Sequence, residues 1–292
     1  MASISNWITG ARVRTLPLAA APVILGSAAA NLVDRFDPLL ALGALMVALF
    51  LQVGVNYAND YSDGVRGTDD ARVGPVRLTA SGLARPKAVK LAALITFSLA
   101  GLTGLAMVIA TEQWWLLGVG ALAILAAWYY TGGETPYGYA GLGEVAVFLF
   151  FGLVATVGTS FLMTQALDPL AVVLGSASGL YAAAVLLVNN IRDLDTDQLA
   201  GKKTIAVRLG DKRSRALFLI LIYLPVALNI LLILIYPATV LGLLNLLLLV
   251  PISGIILSGK TPKELITALK LTSLAGFCYG LLVGVGLFIV NF

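Results

Sequence analysis

Long, nearly uninterrupted apolar blocks constrain this chain more than any other feature. A helix crossing the hydrocarbon core of a bilayer needs about 20 mostly apolar residues. Roughly nine such blocks fall near 15–33, 38–56, 88–110, 113–130, 142–163, 167–189, 215–235, 237–257 and 271–290. Only 12% of the residues are charged and 59% are hydrophobic, against about 25% charged in a typical soluble domain. In lipid, backbone polar groups must be satisfied within the chain, so spanning segments are helices or closed barrels. Blocks of this length predict an all-α integral membrane protein with about nine transmembrane helices. Pro17, Pro22 and Pro225 lie inside blocks, and helices in lipid tolerate them. Residues 1–292 read as a single transmembrane domain.

The connections between blocks carry the charge unevenly. With the N-terminus cytoplasmic, the Lys and Arg residues collect in the cytoplasmic loops, and Arg35 alone lies on the opposite side. The positive-inside rule then orients a multi-pass protein of the cell membrane, with both polar clusters described below facing the cytoplasm. The formal net charge is +4. Bases set beside apolar spans suit anionic lipid or a phosphate-bearing substrate, and no nucleic-acid partner is expected.

Other chemistry is excluded early. There is no histidine, which removes Ser-His-Asp catalysis, His-ligated zinc and His general bases. Cys278 is the only cysteine, so no intrachain disulfide forms, and it reads as a buried structural thiol. The opening MASISNWITGARVRTLP lacks the pattern of a cleavable signal peptide.

Two polar segments stand out. The second block runs into NYANDYSDGVRGTDDARVGPVR (56–77), and the sixth into NNIRDLDTDQLAGKKTIAVRLG (189–210). Asn56, Asp60 and Asp63 are spaced by four and three residues; Asn189, Asp193 and Asp197 are spaced by four and four. If each helix continues past the membrane edge, each triplet shares a face. Like charges so placed repel, so a cation is expected between them. Both clusters follow even-numbered blocks and fall on the same side, four spans apart, which suggests an internal four-helix pseudo-repeat. Carboxylate and amide oxygens suit Mg²⁺, an ion that keeps waters and shares substrate phosphate oxygens. Candidate ligands are Asn56, Asn59, Asp60, Asp63, Asn189, Asn190, Asp193 and Asp197. Of these, Asp60, Asp63, Asp193 and Asp197 are the candidate catalytic acids. Arg66, Arg72, Arg77, Lys202, Lys203 and Arg208 are placed to hold phosphate charge. The competing reading is a pair of ordinary solvated loops, which two matched Asn-led clusters disfavour. Asp69 and Asp70 follow Gly64 and Gly67 and are read as either outer ligands or solvated.

In the loop after the fourth block, Tyr137 and Tyr139 suit either an acceptor pocket or an interfacial belt. Glu144, at the start of a span, is costly to leave unpaired and reads as functional. Trp114, Trp115 and Tyr129 read as belt residues, and Arg12 and Arg14 as side chains snorkelling to headgroups.

On these residues the chain resembles the UbiA superfamily of intramembrane aromatic prenyltransferases, over essentially its whole length. The family pattern NDxxD appears at Asn59, Asp60 and Asp63, and DxxxD at Asp193 to Asp197, followed by GKKT at 201–204. GTDDARVGPVR and YYTGGETPYGYAGLGEVAVFLFFG are similar to the branch that prenylates 1,4-dihydroxy-2-naphthoate. The resemblance implies a helical bundle open to lipid, with a cytoplasmic polar cap. It also implies Mg²⁺-dependent transfer from a polyprenyl diphosphate to dihydroxynaphthoate, with loss of the ring carboxylate. Acceptors such as 4-hydroxybenzoate or homogentisate are the alternative. Gly67 stands where many members carry a further Asp, and the loop YTGGETPYGY lacks a Lys found in some branches. Two rivals differ in class. A CDP-alcohol phosphotransferase needs DG followed two residues later by AR, which DGVRGTDDAR misplaces. A transporter would line a crossing path with its acids rather than crowd them on one face.

Overall fold

The computed structural model describes residues 2–68, 77–259 and 261–290. Among them there are helices and no strands. The order is α1 (Ile4–Ala11), α2 (Leu16–Asn31), α3 (Pro38–Arg66), α4 (Pro86–Thr111) and α5 (Leu116–Tyr129). A 3₁₀ turn (Tyr137–Ala140) leads to α6 (Gly143–Val147), which runs through a π-helical stretch (Phe148–Val154) into α7 (Ala155–Thr164). Then come α8 (Pro169–Arg192), α9 (Leu194–Leu199) and α10 (Ile205–Ile233). A 3₁₀ segment (Pro237–Asn245) leads into α11 (Leu246–Ser258), and α12 (Pro262–Ile289) closes the described chain.

The starts of the long helices are written locally. Pro38, Pro86, Pro169 and Pro262 each stand in the first turn, where a missing N–H costs nothing. Asp37 accepts from the amides of Leu39 at 2.8 Å and Leu40 at 3.0 Å, and Asp168 from that of Leu170 at 2.9 Å. Thr261 and Glu264 form a capping box at α12.

Eight helical stretches are long and apolar enough to span a bilayer. The fourth expected span, α5, has 14 residues, about 21 Å at the usual rise and short of the ~30 Å core. The apolar exterior fits lipid: Leu39, Leu234 and Leu247 are each more than three-quarters exposed.

The interior is helix on helix. One core joins α2, α8, α10, α11 and α12 around Leu25, Tyr181, Phe218 and Tyr279, while a smaller one joins α3, α4 and the 78–84 turn around Tyr57, Leu78 and Phe97. Small residues allow close approach, as expected where lipid provides no hydrophobic drive between helices. A Cβ on Gly152 would lie 2.4 Å from the Gly179 backbone, so the π-helical stretch and α8 touch main chain to main chain. Gly210, at φ 75°, breaks α10 near its start and lets its polar first turn leave the axis of the span.

Candidate active site

A large cavity of about 640 Å³ runs from the clusters into the bundle between α3, α4, α5 and the α6–α7 segment. Its polar end is lined by Asn56, Asn59, Asp63, Asn189, Asn190, Asp193 and Asp197. The two sequence clusters therefore meet on one wall system. Tyr137, Tyr139, Arg77 and Lys202 line it too.

The first cluster lies on an unbroken helix. α3 continues through Asn56, Asn59, Asp60 and Asp63 to Arg66, and Gly67, at φ 73°, caps it. Asn59 Oδ1 accepts from the Thr131 hydroxyl at 2.8 Å. Asn56 Nδ2 donates to the Ala11 carbonyl at 3.0 Å, tying the N-terminal segment to the site. Asp63 accepts from the Tyr139 hydroxyl at 2.6 Å, and Arg77 approaches it at 3.9 Å. Asp60 differs: its two oxygens accept from the backbone amides of Leu78 and Thr79, each at 2.8 Å, and it does not line the cavity. In this conformation Asp60 holds the turn that carries Arg77.

The second cluster crosses a break. α8 ends at Arg192, Asp193 caps it with non-helical dihedrals, and Asp197 lies on the short α9. The expectation of one continuous helical face fails here. Arg192 grips Asp193 with two bonds, at 2.7 and 2.5 Å, and donates to Asn189 Oδ1 at 2.9 Å. Lys202 pairs with Asp197 at 3.2 Å. Asn190 Nδ2 donates to Glu144 Oε1 at 2.9 Å, which points the amide nitrogen at Glu144. Glu144 is buried behind Asn190, off the cavity wall, and its Oε2 has no hydrogen-bond partner among the described residues.

Tyr139 links the clusters. Its hydroxyl is on Asp63, while its ring lies 4.7 Å from the Lys202 ammonium and 5.4 Å from the Arg66 guanidinium. Burial, then the Asp63 charge, pushes the Tyr139 phenol above its ordinary value. It thus stays protonated and donating near neutral pH. Burial also raises Tyr137 to about 12; its hydroxyl donates to the Ala126 carbonyl at 2.8 Å.

Arg66, Lys203 and Arg208 are not on the cavity wall. Arg66 donates to the Thr131 and Gly133 carbonyls. Arg208 donates to the carbonyls of Ala140 at 2.7 Å and Lys203 at 3.0 Å, and the Lys203 amide donates to Tyr139 O. These three tie loops together around the site. Arg72, Asp69 and Asp70 lie outside the described residues.

Some wall residues escaped the sequence reading. Arg12, Arg14 and Lys270 line the cavity, although the two arginines read as headgroup anchors. Arg12 sits at φ 52°, unusual for a side chain of its size, with a buried Nη2 that has no hydrogen-bond partner among the described residues. Arg192 carried a signal, its place directly before Asp193; Lys270, far along the chain at the start of the last block, carried none.

Among the described residues, no three Asp, Glu, His or Cys side chains converge into a metal-holding group. The oxygens on the wall come instead from a mixture of carboxylates and amides divided between two helix ends.

Such an arrangement defines a multi-pass helical membrane protein with a cavity that is charged at one end and apolar beyond. The chain belongs to the UbiA prenyltransferase family, whose model matches residues 19–274. It is 47% identical to the 1,4-dihydroxy-2-naphthoate octaprenyltransferase of Mycobacterium tuberculosis, over 97% of each chain. It is 43% identical to the Escherichia coli protein of the same description, over 72% of this chain and 70% of that one. Among solved structures, a UbiA homologue from Aeropyrum pernix K1 superposes with a TM-score of 0.70 over 100% of both chains at 17% identity. One from Archaeoglobus fulgidus, bound to DMAPP and Mg²⁺, superposes with a TM-score of 0.66 over 96% of this chain and 99% of that chain, at 17% identity. At that identity the structural likeness speaks for the fold.

Proposed function

We propose that the protein transfers a polyprenyl chain from its diphosphate to 1,4-dihydroxy-2-naphthoate, with loss of the ring carboxylate, as a step of menaquinone formation. The observation carrying this reading is the cavity itself: paired Asn/Asp clusters and fixed cations at one end open into a long apolar interior. A polyprenyl diphosphate has the same polarity. The naphthoate acceptor rests on the description of the relatives at 43% and 47% identity.

The wall fits Mg²⁺. Asp63, Asp193 and Asp197, with Asn56, Asn59, Asn189 and Asn190, offer hard oxygen donors in too sparse a set to enclose an ion alone. That suits an ion completed by water and phosphate oxygens. When bound, Mg²⁺ would supply charge neutralisation for the departing diphosphate. Asp60 supports the site by anchoring the 77–81 turn.

The chain's own groups carry the remaining steps. Arg77, Arg192 and Lys202 hold the diphosphate, joined by Arg12, Arg14 and Lys270, so that charge growing on the leaving group meets cations already in place. The allylic carbon is left electron-poor as its bond to oxygen breaks. Tyr130, Tyr139, Phe150 and Phe151 present aromatic groups on the wall, and such groups stabilise positive charge. The bundle excludes water, which would otherwise capture the cation. The electron-rich naphthoate ring then forms the new carbon–carbon bond; its carboxylate leaves as carbon dioxide, and the proton lost from the alkylated carbon is matched by one taken up at the decarboxylated carbon. The polar end faces the cytoplasm across the cell membrane, as a cap over the spans, and residues 1–292 form one domain with a four-helix pseudo-repeat relating the clusters.

Purified protein with Mg²⁺, a polyprenyl diphosphate and dihydroxynaphthoate, 4-hydroxybenzoate or homogentisate tests this directly. Pyrophosphate release and a decarboxylated prenyl-naphthoquinol with the first acceptor alone are expected. Preference for another acceptor would overturn the naphthoate assignment, and no transfer to any acceptor would overturn the enzyme reading.

A further inference from the structure

Four glycines in helix interiors line the cavity: Gly101 and Gly104 on α4, Gly120 on α5 and Gly158 on α7. A Cβ on Gly101 would touch Ile124 at 3.7 Å, which sets it apart from the other three. Glycine is disfavoured inside a helix relative to alanine, because it gives up more backbone freedom on folding. At several other glycines of this bundle the cost has a visible reason. A Cβ on Gly26 would meet the Thr156 carbonyl oxygen at 2.4 Å, and one on Gly152 would meet α8. At Gly104, Gly120 and Gly158 a Cβ would meet nothing within 4 Å, and none of the three has a positive φ. Neither neighbour packing nor backbone conformation asks for glycine there. What a side chain would fill is the cavity.

Their placement is consistent with that. At about 1.5 Å of rise per residue, Gly120, Gly158 and Gly104 stand roughly 14, 22 and 27 Å along their helices from Tyr129, Gly143 and Pro86 at the polar side. All three therefore lie beyond the charged end, on three different helices around the apolar part of the cavity.

We propose that Gly104, Gly120 and Gly158 set the bore of this channel, and with it the length of isoprenoid tail the protein accepts. This rests on the donor assignment of the proposed function. A side chain at these positions meets open space in the free protein and obstructs only a long tail. A tail that ends before the glycines is untouched. The three positions thus act as selectivity determinants far from the reacting atoms.

The test is binding of unreactive thiolo-diphosphate analogues to Gly104→Leu, Gly120→Leu and Gly158→Leu, with an octaprenyl and a geranyl tail compared. Gly118→Leu is the control. It is also an α5 glycine whose Cβ would meet nothing within 4 Å, but it does not line the cavity. The expected result is a loss of about tenfold or more in affinity for the octaprenyl analogue. The geranyl analogue should bind all three within about twofold of wild type, the Gly118 variant should match wild type for both, and no melting temperature should fall. Equal losses for both tails, an unchanged long-to-short ratio, or the same change in the control would overturn the inference. Binding is read without turnover, so an inactive wild type would count against the proposed function and leave this comparison standing on its own result.

Discussion

The two Asn/Asp clusters look alike as sequence and are built differently. The first sits on a helix that runs unbroken to Arg66, and its partners come from distant segments: Ala11, Leu78, Thr79, Thr131 and Tyr139. The second straddles the end of α8, and its charges are matched by near neighbours, Arg192 for Asp193 and Lys202 for Asp197. Equal motifs therefore need not divide their work equally. In the first cluster one acid, Asp63, faces the cavity while Asp60 braces the wall behind it. In the second, both acids face the cavity, each already holding a cation that a diphosphate would also use.

The sharpest way to break this comparison is to remove the cavity-facing acids. Asp63→Ala and Asp193→Ala should each lower kcat by at least about 10²-fold, with melting temperatures near wild type, since charge stabilisation at the reacting centre is lost. Rates near wild type in either variant would remove that acid from the site.

Asp60→Ala should behave differently. It strands two backbone amides in a buried setting, which should destabilise by about 3 kcal/mol, seen as an earlier thermal transition and faster proteolysis at the 77–81 turn. A variant that melted like wild type yet was inactive would return Asp60 to the ligand set and erase the asymmetry.

Arg192→Lys tests the second cluster. Lysine keeps the charge but loses the two-pronged grip on Asp193 and the bond to Asn189, so KM for the diphosphate donor should rise about tenfold. An unchanged KM would show that the guanidinium fork is incidental. An effect of similar size is expected for Tyr139→Phe. It deletes the hydroxyl on Asp63 and keeps the ring beneath Lys202, so kcat/KM should fall by roughly tenfold, the value of one hydrogen bond to a charged group. A fall as large as that of Asp63→Ala would give the phenol a direct part in the chemistry.

How much of this was legible in the sequence follows from the range of each interaction. The spans could be read because lipid imposes its length on each helix locally. The shortness of α5 could not, because the surrounding apolar residues disguise where its helix begins. The clusters could be read from residue type and spacing. The difference between Asp60 and Asp63 could not, since it depends on where the chain returns at 78–79 and 139. The break at Asp193 likewise hides in a sequence that reads as continuous helix through Asp197. Arg12 shows the limit plainly: beside an apolar block it reads as a headgroup anchor, and it is long-range ties, such as those from Asn56 to the Ala11 carbonyl and from Tyr57 to the Trp7 carbonyl, that bring its neighbourhood to the cavity.

The central claim is that one diphosphate is held by both helix ends at once. An experimental structure with Mg²⁺ and an unreactive polyprenyl thiolo-diphosphate tests it most directly. The account predicts phosphate oxygens, directly or through the metal, in contact with Asp63 on one side and with Asp193 or Asp197 on the other, and the tail running past Phe150 and Phe151. A diphosphate seated on only one cluster, or a tail lying outside the cavity, would contradict it.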